Sequence, residues 1–369
     1  MGHDDAMSAV PGLRQAILVL GMHRSGTSAV TRVVALCGAG LPVRLMAPSP
    51  DNNETGFWEP QGVVDLHDEV LAAMGSSWSD VRGVPVEWFD GAVANGFRAR
   101  LAALLADEYG DAALFVVKDP RLCRLLPLWL PVLAALQITP CVVVPVRHPL
   151  EVAASLQRRE GFDAARAQAL WRSHMLAAER DSRGLARCFV TYDGLLADWR
   201  GVVTRIGALV GADWSATADA TAIEAFLSAG LRHHAVSPDD DAAILAGLDV
   251  VYQWTLAAAH GVEPGGSALD RVAGDVAVGE AYFGPVIAPL EATLAKQSGE
   301  LRHWIDAAVE RYGVIEDLRG EIRRLTVDTI PASDAQTQRK EPLFENSGAK
   351  TFLNLCLGRW RQKASDPKS

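Results

Sequence analysis

Four short runs of consecutive apolar, largely β-branched residues punctuate the chain, at 16–20, 113–117, 141–146 and 188–192. Ala/Leu-rich stretches of helical character separate them, among them 97–106 and 150–159. A strand that is apolar at every position buries both faces, and strands alternating with helices join in parallel. The pattern therefore predicts an α/β fold, a parallel central sheet flanked by helices. Ligands of such sheets bind beyond the carboxyl ends of the strands. The near-continuous apolar stretch 125–146 carries Pro127, Pro131, Pro140 and Pro145, with Gln137 and Thr139 inside it. It reads as a buried helix followed by a buried strand, not as a membrane span.

Beyond about Gly265 the pattern changes its period. Leu294, Leu301, Ala308, Ile315 and Ile322 recur at sevens, and a second row reads Gln297, Trp304, Arg311, Leu318 and Leu325. This heptad pattern is broken by Arg311 and weakened by Gly313 and Gly320, and it fits two arrangements equally. One is a helix packed back on the main domain; the other is a coiled coil that joins two copies of the chain. After Leu325 the chain turns polar, and residues 352–361 then mix apolar side chains with Arg359 and Arg361. That patch suits a docked terminal helix or a peripheral contact with a membrane surface. The expected organisation is a main domain over 1–265, a helical extension over 266–327 and a polar, flexible tail over 328–369.

Composition narrows the function classes. Of 369 residues 49% are hydrophobic, enough for a sizeable core, which excludes wholesale disorder. The net charge of −10 opposes a broad nucleic-acid surface but leaves room for a small basic pocket. Five scattered cysteines, none at zinc-ligand spacing, suggest reduced, buried thiols, a cytoplasmic protein and no bound metal. The polar N-terminus and the short run 16–20 do not read as a signal peptide.

Each predicted strand runs directly into chemically capable residues. Residues 21–28 read GMHRSGTS after the first, and 118–121 read KDPR after the second. Arg147, His148 and Pro149 follow the third, and Tyr192 and Asp193 the fourth. The spacing of Gly21 and Gly26 before a helix is that of a phosphate loop, where backbone amides and the helix dipole hold an anion. A nucleoside-triphosphatase loop needs lysine directly after its second glycine, but Thr27 stands there and the cation, Arg24, comes earlier. An arginine fork grips a multi-oxygen anion without a metal.

GMHRSGTS resembles the 5′-phosphosulfate loop of sulfotransferases that use 3′-phosphoadenosine 5′-phosphosulfate (PAPS). RHPLEVAAS at 147–155 is similar to their 3′-phosphate motif, an arginine and a serine eight residues apart. TYDGLL at 191–196 resembles a strand end whose tyrosine lies near the adenine, and Lys118-Asp119-Pro120 a segment of tyrosylprotein-type and bacterial members. Arg232, in LRHH at 231–234, stands where other members use a basic loop. The resemblance covers residues 13–234 and implies the P-loop-like sulfotransferase fold. It also implies PAPS as co-substrate, held by His23, Arg24, Ser25, Gly26, Thr27, Ser28, Arg147, Ser155, Tyr192 and Arg232. The chain departs from the family in having small residues, Ala29 and Val30, where cytosolic members often place an aromatic against the adenine.

Sulfuryl transfer needs an acceptor in line, a base for its proton, and cations on the oxygens that gain charge. Arg24 fits the cation, with Lys118 adding charge. Glu59, beside Phe57 and Trp58, is the favoured base, with Asp119 and His67 as rivals; His67 reads equally as a solvated helix residue. The acceptor is not legible beyond a hydroxyl or amine, with a lean toward carbohydrate because Trp58, Trp78 and Trp88 can stack on sugars. Two other readings stand beside this one: a P-loop nucleotide kinase or triphosphatase, and an inert sulfotransferase-like scaffold.

Overall fold

The computed structural model describes residues 14–48, 56–228 and 244–329. Four parallel strands form one sheet in the order β2-β1-β3-β4. They are β1 (Arg14–Val19), β2 (Leu114–Lys118), β3 (Ile138–Val146) and β4 (Ala186–Thr191). The helices are α1 (Thr27–Leu36), α2 (Gln61–Ala73), α3 (Ala92–Tyr109), α4 (Leu122–Ala135), α5 (Pro149–Glu160) and α6 (Ala164–Asp181). They continue as α7 (Tyr192–Ala197), α8 (Trp199–Val210), α9 (Ala220–Ser228), α10 (Leu248–Ala259) and α11 (Ser267–Thr329). This is the α/β architecture expected, including the helix α4 and strand β3 inside the apolar stretch 125–146. No described helix is long and apolar enough to cross a membrane.

Alternation along the strands divides the core in two. Ala16, Leu18, Phe115, Val117, Val142 and Val144 face α2, α3, α4, α6 and α10. Ile17, Val19, Val116, Cys141, Val143 and Val190 face α1, α8 and α9. Burying both faces is why these strands carry no polar alternation. β3 keeps Pro140 and Pro145 although it is central, paired with β1 at Ala16 and with β4 at Val190 respectively.

The strand order fixes where a ligand can lie. From β1 the chain goes to β2 on one side, then crosses to β3 on the other. The crevice of such a sheet opens where the connections diverge, at the carboxyl ends of β1 and β3. Residues 21–28 leave β1 there, and Arg147 leaves β3.

By internal contacts the chain divides into Met1–Ala277 and Val278–Ser369. The first turns of α11 belong to the first unit, where Leu269 and Val272 are buried. In the second unit α11 carries Pro285 and Pro289. Its apolar row is exposed and starts earlier than the sequence reading placed it, with Phe283, Ile287 and Leu290 preceding Leu294, Leu301, Trp304, Ile315, Leu318 and Ile322. The tail and its 352–361 patch lie outside the described residues.

Candidate active site

The loop after β1 is shaped by two residues with left-handed backbone, Arg24 (φ 69°) and Gly26 (φ 88°). Gly26 is required twice over. Its φ favours glycine, and a Cβ there would stand 2.4 Å from the Tyr192 ring. The turn presents backbone amides to α1, whose N-terminus has no side-chain cap. Its unmet N–H groups are those an anion would satisfy. Ser25 is fully buried in the loop and its Oγ has no hydrogen-bond partner.

Arg24 is the centre of the constellation. Its Nε donates to Ser155 Oγ at 2.8 Å, and its carbonyl accepts from an Arg147 amino group at 3.1 Å. Arg147 is paired with Glu151 one helical turn on and lies over the Tyr192 ring, 4.9 Å from its centroid. Pro149 at the first turn of α5 and the His148 cap fix the start of that helix, which carries Ser155 back toward the loop. Burial first, then the charges of Arg159, Arg147 and Arg158, lower the Arg24 pKa to about 10, against a small opposing effect of Tyr192. Of the residues read from the sequence as a donor site, Arg24, Gly26, Arg147, Ser155 and Tyr192 meet one another. His23, Ser25 and Thr27 belong to the same loop and helix start, and Ser28 turns to Phe57 and Lys118. Arg158 and Arg159 were missed, although they sit three and four residues after Ser155 on the same helix. Arg232 lies outside the described residues.

His23, in the same loop, stands edge-on to Trp78 with ring centroids 4.7 Å apart. Its Nε2 is shielded and has no hydrogen-bond partner. Burial first, then Arg159, Arg121 and Lys118, hold its pKa well below the ordinary histidine value, with Asp119 opposing. Trp78 also packs on Phe162 and under Arg159. Trp58 instead stacks with Arg32, and Trp88 packs among Phe89 and Phe97, so of the three tryptophans it is Trp78 that meets the loop.

The end of β2 is a second constellation. Lys118 Nζ donates to Glu59 Oε1 at 2.5 Å, the Phe57 carbonyl at 3.0 Å and Ser28 Oγ at 3.1 Å. Both Glu59 and Lys118 are 3% exposed. Asp119 is fully buried; its Oδ1 accepts from the Arg121 backbone and guanidinium, and its Oδ2 bonds His67 Nδ1 at 2.8 Å. Burial alone would raise the Asp119 pKa, but Arg121 and the His67 hydrogen bond bring it well below the usual carboxylate range. The reading of His67 as a solvated helix residue does not hold. It lies on the buried face of α2 with Val63 and Val70, and its Nε2 accepts from Trp129 Nε1 at 2.8 Å. With Nε2 accepting, the proton sits on Nδ1, shared with Asp119, so both ring nitrogens are used. The helical spacing of 63, 67 and 70 was the signal for this burial.

Fold and site together define an α/β protein whose first strand–loop–helix unit, with the end of β3, gathers arginines around a phosphate-type loop. No family model matches the sequence. No curated protein matches it either. Among solved structures the chain is similar to the sulfotransferase domain of the Synechococcus PCC 7002 olefin synthase, at 18% identity and a TM-score of 0.39, over 66% of this chain and 96% of that one. It is also similar to a sulfotransferase domain from the curacin biosynthetic pathway, at 17% identity and a TM-score of 0.30, over 56% and 76% of the two chains.

Proposed function

We propose that the protein is a sulfotransferase that moves a sulfuryl group from PAPS to an acceptor hydroxyl or amine. The observation that carries this reading is the crowding of Arg24, Arg147, Arg158 and Arg159 at one loop in a chain of net charge −10. A buried arginine with further arginines around it favours binding of a compact polyanion, which offsets both its desolvation and their mutual repulsion. The donor fits the residues present. Ser25 Oγ lacks a partner, the N-terminus of α1 is uncapped, and the backbone at Gly26 leaves no room for a side chain.

In this reading Arg24 and the loop amides bind the phosphosulfate and stabilise the charge that develops on the bridging oxygen. Arg147 and Ser155 hold the 3′-phosphate, and Tyr192 borders the nucleoside. Lys118 and Glu59 fix Ser28 and the segment 57–59 against the loop; Asp119 orders His67 and Arg121 behind them. Trp78 beside the loop supports an acceptor with a ring face, a carbohydrate among them.

One contact weighs against the kinase alternative. Ser28 holds the position whose hydroxyl binds magnesium in a triphosphatase loop. Here that hydroxyl accepts from the Lys118 ammonium. The test is thermal unfolding with adenosine 3′,5′-bisphosphate or with Mg-ATP. At a hundredfold excess over Kd the bisphosphate is expected to stabilise by about 2.7 kcal/mol, with EDTA making no difference. Stabilisation by Mg-ATP alone, lost on chelation, would reverse the assignment.

A further inference from the structure

Four groups near the loop have the chemistry to take a proton from an acceptor: Glu59, Asp119, His67 and His23. Three of them are committed to other bonds. Glu59 is closed on Lys118, Asp119 accepts from His67 and twice from Arg121, and His67 has both nitrogens engaged. His23 differs. It belongs to the phosphate loop itself, directly before Arg24, and its shielded Nε2 has no hydrogen-bond partner. Buried polar groups are almost always hydrogen-bonded. Trp171 Nε1 and His174 Nε2 lack partners in the core, whereas the His23 atom belongs to the loop at the strand end, where a ligand atom can supply the missing bond.

We propose that His23 is the general base of this site, with Nε2 taking the proton of the acceptor hydroxyl. The assignment rests on the sulfotransfer reading. The acceptor O–H bond breaks and its proton passes to Nε2. The oxygen's electron pair forms the new O–S bond. The S–O bond to the phosphate breaks, and its electrons stay on the phosphate oxygen, beside Arg24. The products are the acceptor sulfate ester, adenosine 3′,5′-bisphosphate and an imidazolium that returns its proton to water.

Surrounding charges set when His23 works. Arg159 on α5 and Lys118, Asp119 and Arg121 at the end of β2 bear on the ring. Arg24 follows it on its own loop, Glu160 pairs with Arg159, and the adjoining loop 76–84 carries the Asp80–Arg82 pair. Burial and the net positive field keep the imidazole neutral, the form a base requires, down to more acid pH than an ordinary histidine. An anion bound at Arg24 offsets that field and raises the basicity of Nε2, so the base strengthens when the donor is in place. Trp78, standing against the ring, supplies one wall beside the reacting oxygen.

The experiment compares wild type with His23→Gln and His23→Asn, two amides that place a polar atom near either ring nitrogen. Release of adenosine 3′,5′-bisphosphate from PAPS is followed across pH, with water as acceptor and with an added phenol. Bisphosphate affinity is measured separately by calorimetry. Turnover is expected to fall about 10²–10⁴-fold while bisphosphate affinity holds and the acid limb of the wild-type profile disappears. Variants that bind the bisphosphate and keep either their turnover or the acid limb overturn the assignment and leave the sulfotransfer reading standing. Loss of bisphosphate binding in both variants also overturns it, because the ring would then be a part of the donor pocket. If the wild type neither binds the bisphosphate nor releases it from PAPS, the sulfotransfer reading falls and this inference with it.

Discussion

The carboxyl ends of β1 and β3 and the carboxyl end of β2 lie side by side on the sheet and carry similar residue types, yet they are wired in opposite senses. At β2 each cation has a carboxylate at hydrogen-bonding distance: Lys118 has Glu59, and Arg121 has Asp119 and Asp68. At β1 and β3 Arg147 has Glu151 and Arg159 has Glu160, but Arg24 lies among Arg147, Arg158 and Arg159, and burial first, then those charges, lower its pKa to about 10. A neutralised cluster is a rigid wall whose worth is structural. A cluster left positively biased favours binding of an anion, because each like-charge repulsion is relieved when the ligand arrives. The same lysine-or-arginine signature in a sequence therefore carries opposite meanings, according to what packs against it.

The sharpest way to break this contrast is to remove a carboxylate from the wall. Asp119→Ala should cost about 3–5 kcal/mol of stability, since it leaves the His67 N–H unpaired in the interior and the buried Arg121 with Asp68 alone. Urea unfolding measures it, and the folded fraction should still bind adenosine 3′,5′-bisphosphate. The sign with pH follows from the lowered pKa of Asp119. Its contribution is complete above the unfolded value of about 3.9 and is lost as pH falls below it toward the folded value. A loss of under about 1 kcal/mol, the size of an ordinary substitution, would mean the wall is not held by this carboxylate.

On the anion side, Arg147→Ala should weaken bisphosphate binding by about 1.5–3 kcal/mol, ten- to a hundredfold, and lower stability as well, because Glu151 loses its buried partner. Calorimetry on the folded variant decides it. An unchanged Kd would take the 3′-phosphate away from Arg147. The smallest effect on chemistry is expected from Glu59→Gln. The amide keeps the shape but leaves the Lys118 charge buried without its counter-ion, so unfolding shifts to a lower temperature. Turnover per folded molecule should fall less than the roughly 10²-fold that loss of a general base produces. A drop of that size or more would return the role of base to Glu59 and move it off His23.

Much of this is legible in the sequence. Continuous apolar runs located all four strands, because a strand buried on both faces leaves a local signature. Glycine spacing located the loop, since the left-handed turn at Gly26 is a local requirement of the backbone. Arg147 and Ser155 were legible together because strand end, Pro149 and helical rise fix their separation locally. The reach of these local rules ends where one element meets another. Nothing in the order of residues says that Lys118 meets Glu59, that Trp129 crosses α2 to reach His67, or that Trp78 comes to lie against His23. Those pairs are more than fifty residues apart in sequence, and they are made by how helices seat on the sheet. Whether a carboxylate is a base or a brace depends on its partner and its exposure, and both are properties of packing. The sequence alone determined that basic and phosphate-loop residues gather at the strand ends; only the tertiary structure decided which of those charges meet a carboxylate and which lie among other cations.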